Sequence, residues 1–196
     1  MGAVEFLELS GVAEAALSSA LRRHPELRQT PVARRVKPML ALLRDELGLD
    51  VPRDVSAMLL KAPALFSADV AHHCRPALAF LRGPALDLTP EQVSLVVRRF
   101  PPVLFYSPEG QLAPQVAYLR SLGVDDVGAL VVARPAVLGL GIDRVVDHLV
   151  KELRVRRRNV GALLRTYPSD VLFPSRWMRV RVPEDPPPSG SSSSEA

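Results

Sequence analysis

At 196 residues, 47% hydrophobic and 23% charged, the chain has the balance of a packed protein, which excludes a disordered or fibrous one. Its single cysteine, Cys74, excludes an intrachain disulfide and a cysteine-rich metal site, and no apolar run approaches the roughly 18 residues of a membrane span. The net charge of +4 hides an imbalance: residues 1–50 hold seven basic and seven acidic groups and residues 51–143 eight of each, but residues 144–181 hold ten basic groups against Asp147, Glu152 and Asp170. Apart from Lys37, Lys61 and Lys151, the basic residues are all arginines, whose planar and permanently charged heads suit phosphate.

Residues 1–8 read as an N-terminal extension. They carry Glu5 and Glu8, and no arginine precedes Arg22, the opposite of a transit peptide or signal n-region, so no targeting segment is expected within this chain. From residue 9 to residue 181 the sequence repeats. A proline follows a basic or aromatic helix end in Arg-Arg-His-Pro at 22–25, Leu-Lys-Ala-Pro at 60–63, Arg-Arg-Phe-Pro at 98–101, Val-Ala-Arg-Pro at 132–135 and Arg-Thr-Tyr-Pro at 165–168, with spacings of 38, 38, 34 and 33. Aliphatic residues follow each proline: Leu27, Leu65, Val103-Leu104, Val137-Leu138 and Val171-Leu172.

A second marker opens each unit, as Leu9-Ser10-Gly11, Leu47-Gly48-Leu49, Leu86-Asp87-Leu88, Leu122-Gly123-Val124 and Leu153-Arg154-Val155. It runs in step with the first, preceding the proline by 16, 16, 15, 13 and 15 residues. A second proline stands at Pro38, Pro76 and Pro114, and His148 takes its place in the fourth unit.

Each unit reads as helix, tight turn, helix. In the third, Thr89-Pro90-Glu91-Gln92 predicts a capping box with proline at the first helical position. Val93, Val96 and Val97 form an apolar stripe, and Pro101-Pro102 ends the helix. Leu112, Val116 and Leu119 form the next stripe before Gly123 stops it. Because Pro114 would disrupt a helix interior, the second helix is expected to begin near it, after a short or 3₁₀ turn that carries Leu104 inward. Helices this short bury their apolar faces only by stacking unit on unit. The prediction is an all-α helical-repeat solenoid of about five units, followed by a disordered Pro/Ser-rich tail over residues 182–196.

The unit resembles the repeat of the mitochondrial transcription termination factor (mTERF) family. The resemblance rests on Arg-Arg-Phe-Pro-Pro-Val-Leu-Phe at 98–105, Leu112, Pro114 and Tyr118-Leu119-Arg120-Ser121-Leu122-Gly123-Val124, and on the same order from Lys61 through Arg75-Pro76 to Leu81. It implies a left-handed superhelix of two α-helices plus a 3₁₀ turn per unit, in a short plant or algal organellar member. It further implies binding of double-stranded DNA, favoured over structured RNA, in transcription termination or regulation in a chloroplast or mitochondrion, with the plastid favoured. The organellar transcription machinery is a further implied partner. A monomer without cofactor, membrane or catalytic role completes the expectation.

Arg154, Arg156, Arg157 and Arg158, with Arg144, Lys151 and Arg165, form the densest cationic stretch and are the first candidates for phosphate contact. A solvated basic face is the competing reading. Arg22, Arg23, Arg98, Arg99 and Arg134 recur beside the turn prolines, where a cation either meets phosphate or caps the carbonyls of its helix end. Arg34, Arg35 and Lys37 make a further basic patch. His72-His73-Cys74 lacks a second cluster and reads as structural rather than metal-binding. Asp125-Asp126 reads as a helix cap, and Trp177 as a terminal aromatic plug or a base-stacking ring. With no phosphate loop, nucleophile elbow or paired-histidine motif, an enzyme is not expected. A protein-interaction solenoid or an RNA-splicing cofactor is the alternative.

Overall fold

A computed structural model describes residues 1–139, 141–151 and 154–166, and apart from the side chain of His148 it does so in full. The expected tail, Trp177 and the fifth turn proline, Pro168, lie outside the described residues. Among the described residues there are helices and turns and no strand. Helix α1 (Ala3–Leu9) precedes the first unit, and its Ala3 and Leu7 are fully buried, so the stretch predicted as an extension is packed into the core. The units then follow as α2 (Glu14–Arg23) with α3 (Lys37–Ala41), α4 (Ser56–Lys61) with α5 (Arg75–Arg82), α6 (Pro90–Arg99) with α7 (Ala113–Ser121), and α8 (Val127–Ala133) with α9 (Ile142–Lys151). Helix α10 (Arg157–Thr166) opens the fifth.

The first helices end alike because the residue before a proline is pushed out of the helical region. His24, Ala62, Phe100 and Arg134 hold φ/ψ of −144/70, −145/69, −136/72 and −142/77. Each still donates its N–H to the carbonyl four residues back, at 2.7–2.8 Å. Each proline then starts a 3₁₀ turn, at Pro25–Gln29, Pro63–Ser67, Pro101–Phe105 and Pro135–Leu138. The turn closes when Leu27, Leu65, Val103 and Val137 donate to those four residues at 3.0–3.2 Å, and all four side chains are fully buried. The first three of these turns pack against one another through the core, and α2 packs on α4 as α6 does on α8.

The second helices α3, α5 and α7 begin at Lys37, Arg75 and Ala113, one residue before their prolines and near where the sequence placed them. A π turn precedes each, at Val32–Val36, Val70–Cys74 and Pro108–Leu112, and the N–H just before Pro38, Pro76 or Pro114 bonds five residues back instead of four. The wider turn draws the carbonyl away from the proline ring, which would strike it in a regular α-helix. The fourth unit has no second proline, and α9 opens on ordinary bonds from Arg144 and Val145 to Gly141, although π turns also occur at Leu42–Glu46 and Val51–Val55 with no proline after them.

Each second helix, α1 included, ends in a residue with positive φ: Gly11 (86°), Gly48 (61°), Asp87 (50°), Gly123 (83°) and Arg154 (56°). The residue after it is buried and donates its N–H back to the helix, as Val12 does to Leu7 and Val124 to Leu119, the six-to-one bond of a Schellman motif. The first marker is therefore registered on Ser10-Gly11-Val12, since Val12 is buried and Leu9 is 75% exposed.

Stacking from the second unit on depends on a position seven residues before each turn proline, occupied by Ser56, Ser94, Gly128 and Gly161. Here a first helix crosses an earlier closing turn at backbone distance. Ser94 Oγ donates to the Leu47 carbonyl at 2.7 Å, and Ser56 Oγ accepts from Ala13 N–H at 3.0 Å. A Cβ on Gly128 would lie 2.5 Å from the Leu86 carbonyl oxygen, and one on Gly161 would lie closer still to that of Leu122. Gly128→Ala is expected to lower stability by about 1–3 kcal/mol in urea unfolding, because overpacking against backbone outweighs the ~1 kcal/mol that alanine adds to helix propensity. A gain in stability would show that the crossing is not tight.

Candidate nucleic-acid interface

The recurring cations beside the turn prolines reach forward to the next unit. Arg23 donates to the carbonyls of Leu59 and Leu60 at 3.1 and 2.6 Å, Lys61 to those of Arg98 and Arg99 at 3.2 and 3.3 Å, and Arg99 to that of Val132 at 3.1 Å. Each cation thus caps the C-terminal end of the following first helix, where carbonyls lack intrahelical partners and the helix dipole is negative. Arg120 makes a similar reach to the Ala85 carbonyl at 2.7 Å.

A second set of arginines is held by acids. Arg98 pairs with the buried Asp54 at 3.2 Å, and Arg165 makes the equivalent pairing with Asp125 at 2.7 Å. Arg35 meets Asp69 at 2.6 Å. Asp69 also caps the second helix of its unit, and its carboxyl lies below the usual range chiefly because the His72 N–H donates to it, with the Arg35 guanidinium adding to the effect. Arg75 bonds Glu46 at 2.7 Å, and Lys151 bonds Asp147 at 2.9 Å. Lys37 lies 5.5 Å over the Phe6 ring, and Arg157 lies 5.9 Å from the Tyr118 ring centre with a 3.5 Å contact to its hydroxyl.

Of the predicted site residues, Arg23, Arg35, Arg98, Arg99, Arg157 and Arg165 are therefore engaged within the fold, and Lys37, Lys151 and Arg134 also have partners. Arg22, Arg34, Arg144, Arg154, Arg156 and Arg158 are exposed, with no hydrogen bond or ion pair to another described residue. Two of these, Arg22 and Arg34, lie in the first unit. Arg144 stands in the first turn of α9, and Arg154, Arg156 and Arg158 lie at the junction of α9 and α10, helices that pack on each other.

That junction departs from the pattern of the other first helices. Glu14 lies in the first turn of α2 and Glu91 in that of α6, Asp54 stands just before α4, and Asp126 caps α8 by accepting the Ala129 N–H at 2.8 Å. Helix α10 has no acid in its first turn and begins on Arg157 and Arg158, preceded by Arg156. Guanidinium groups there add to the positive end of the helix dipole.

The remaining candidates have structural places. Thr89 and Gln92 form the predicted capping box, with Gln92 N–H to Thr89 Oγ1 at 3.3 Å and Thr89 N–H to Gln92 Oε1 at 2.9 Å. Cys74 is buried, and that burial pushes its thiol up to about 12. His72 and His73 stack edge-on, and His73 packs against Phe105. Among the described residues no group of histidine, cysteine and carboxylate side chains could hold a metal, and no helix is long and apolar enough to cross a membrane.

The fold and its charge together define a helical-repeat solenoid with a basic end. Residues 80–173, just under half of the chain, match the mTERF family model, and this stretch belongs to the mTERF family. The units before residue 80 share the capping angles and closing turns of those inside the match, so the same repeat extends back through them. Membership brings a coarse function, nucleic-acid binding in organellar transcription. Among curated proteins, none matches the chain.

The carbonyl clamps should show in unfolding. Arg99→Ala and Lys61→Ala are each expected to lower stability by about 0.5–1.5 kcal/mol, the usual worth of a partly exposed charged hydrogen bond. Arg22→Ala, three residues before the same kind of proline and without a partner, serves as the control and is expected to leave the unfolding midpoint in place.

Proposed function

We propose that the chain binds double-stranded DNA, in preference to structured RNA, through the junction of α9 and α10, and that it acts in termination or regulation of organellar transcription without catalysis of its own. The observation that supports this most directly is the run of Arg154, Arg156 and Arg158, exposed and without a partner among the described residues, which leads into the N-terminal end of α10 with no acid in its first turn; Arg144, in the first turn of α9, adds to the same basic stretch. Such an arrangement opposes folding locally and becomes favourable when phosphates neutralise it. Arg22 and Arg34 extend the contact at the first unit, and the paired arginines contribute to the field around it. Contacts of this kind hold the nucleic-acid backbone, so position and shape weigh more than a side-chain code. A plastid or mitochondrion is the proposed compartment, the chain acts as a monomer, and the organellar transcription complex is its protein partner.

Filter binding of a duplex and of a structured RNA across a salt series tests this reading. Arg156→Glu with Arg158→Glu is expected to weaken duplex binding by more than 10-fold at low salt and to flatten the slope of log K against log salt. Circular dichroism is expected to remain unchanged. Retained affinity in the double variant, or tighter binding of the RNA by the native chain, would overturn the corresponding part of the proposal.

A further inference from the structure

Arg154 sits where an arginine is costly. Among the five closing turns, the left-handed residue is glycine in three, and in one it is Asp87, a residue type that tolerates this region. Only in the last is it arginine, at φ 56°. A Cβ there crowds the following carbonyl, whereas glycine adopts the conformation without a clash. On its far side Val155 is buried and donates its N–H to the Leu149 carbonyl at 3.0 Å. Among the described residues the guanidinium gains nothing in return: Arg154 is exposed, with no hydrogen bond or ion pair to any of them. Its neighbours add charge of the same sign, because Arg156 and Arg158 are also exposed and no acidic residue occurs between 154 and 165.

We infer that Arg154 is a ligand contact, an anchor that holds a nucleic-acid phosphate from this left-handed position, and that arginine here lowers the stability of the fold while raising affinity for the ligand. The inference rests on the nucleic-acid reading above. A phosphate fits the chemistry because the guanidinium fork can bond two of its oxygens, and a fixed backbone presents that fork with little left to order on binding. The contact is also separable from the fold. Glycine already closes three of the equivalent turns, so removing the side chain leaves a turn that the chain forms elsewhere.

Arg154→Gly is therefore expected to move stability and binding in opposite directions. Its melting midpoint should rise by about 2–4 °C as the strained residue is relieved. Duplex affinity at low salt should fall roughly 5- to 10-fold, and the slope of log K against log salt should become shallower by about 0.9, the loss of one phosphate contact. Arg154→Asn, neutral and tolerant of the same backbone region, should lose affinity and slope to the same extent. Unchanged affinity or slope in these variants would overturn the inference, and so would a lower melting midpoint for Arg154→Gly. If Arg156→Glu with Arg158→Glu weakens binding in the same assay, such a failure is confined to Arg154 and leaves the proposed function standing. A native chain that retains no duplex at low salt would sink the proposed function and this inference together.

Discussion

The distance between units is set by a carbonyl oxygen. Those of Leu47, Leu86 and Leu122 each precede a left-handed closing turn, and each lies under a first helix that carries Ser94, Gly128 or Gly161 at the crossing. Serine can bond the carbonyl and glycine can let it pass, whereas a larger side chain would hold the units apart. The close approach has consequences elsewhere. It brings Leu27, Leu65 and Val103 into one core, and it places each forward-reaching cation within bonding distance of the next helix end. A wider spacing would leave those carbonyls to water and the 3₁₀ turns without partners.

Much of this was legible in the sequence, because local chemistry fixes it. Proline forbids helical geometry in the residue before it, so His24, Ala62, Phe100 and Arg134 marked the ends of first helices without reference to the rest of the chain. The capping box at Thr89 and the cap at Asp126 are equally local. The small residue seven before the proline was as regular but went unread, because serine and glycine inside a helix carry no signal of their own until the crossing partner is known. The π turns were missed for a different reason. Pro114 places the start of the α-helix at Ala113, but no residue type ahead of it signals that the chain enters through a π turn.

Charge was the least legible feature. Both readings of the recurring basic residues were sound in advance, and choosing between them needed contacts that span 33 to 44 residues, such as Arg99 with Val132 and Arg98 with Asp54. Partly exposed contacts of this kind are each worth only about 0–1.5 kcal/mol. Their larger effect is on what remains. Among the described residues Arg22, Arg28, Arg34, Arg53 and Arg82 are exposed singly without a partner, and the densest run of such cations, Arg154, Arg156 and Arg158, lies where α9 meets α10.

Two local preferences fail together at that junction. Arginine occupies a left-handed position that glycine fills elsewhere, and arginines begin a helix where the other first helices carry acids. Each departure opposes folding by a small amount, and neither is offset by a hydrogen bond or ion pair of Arg154, Arg156 or Arg158 with another described residue. Natural sequences are locally consistent over most of their length, and departures collect where a site needs residues the fold does not. A basic composition would scatter arginines over every exposed position, including the tips at Gly11, Gly48 and Gly123. Those tips remain glycine, so the arginine at 154 belongs to its place in the array rather than to the chain's general excess of arginine.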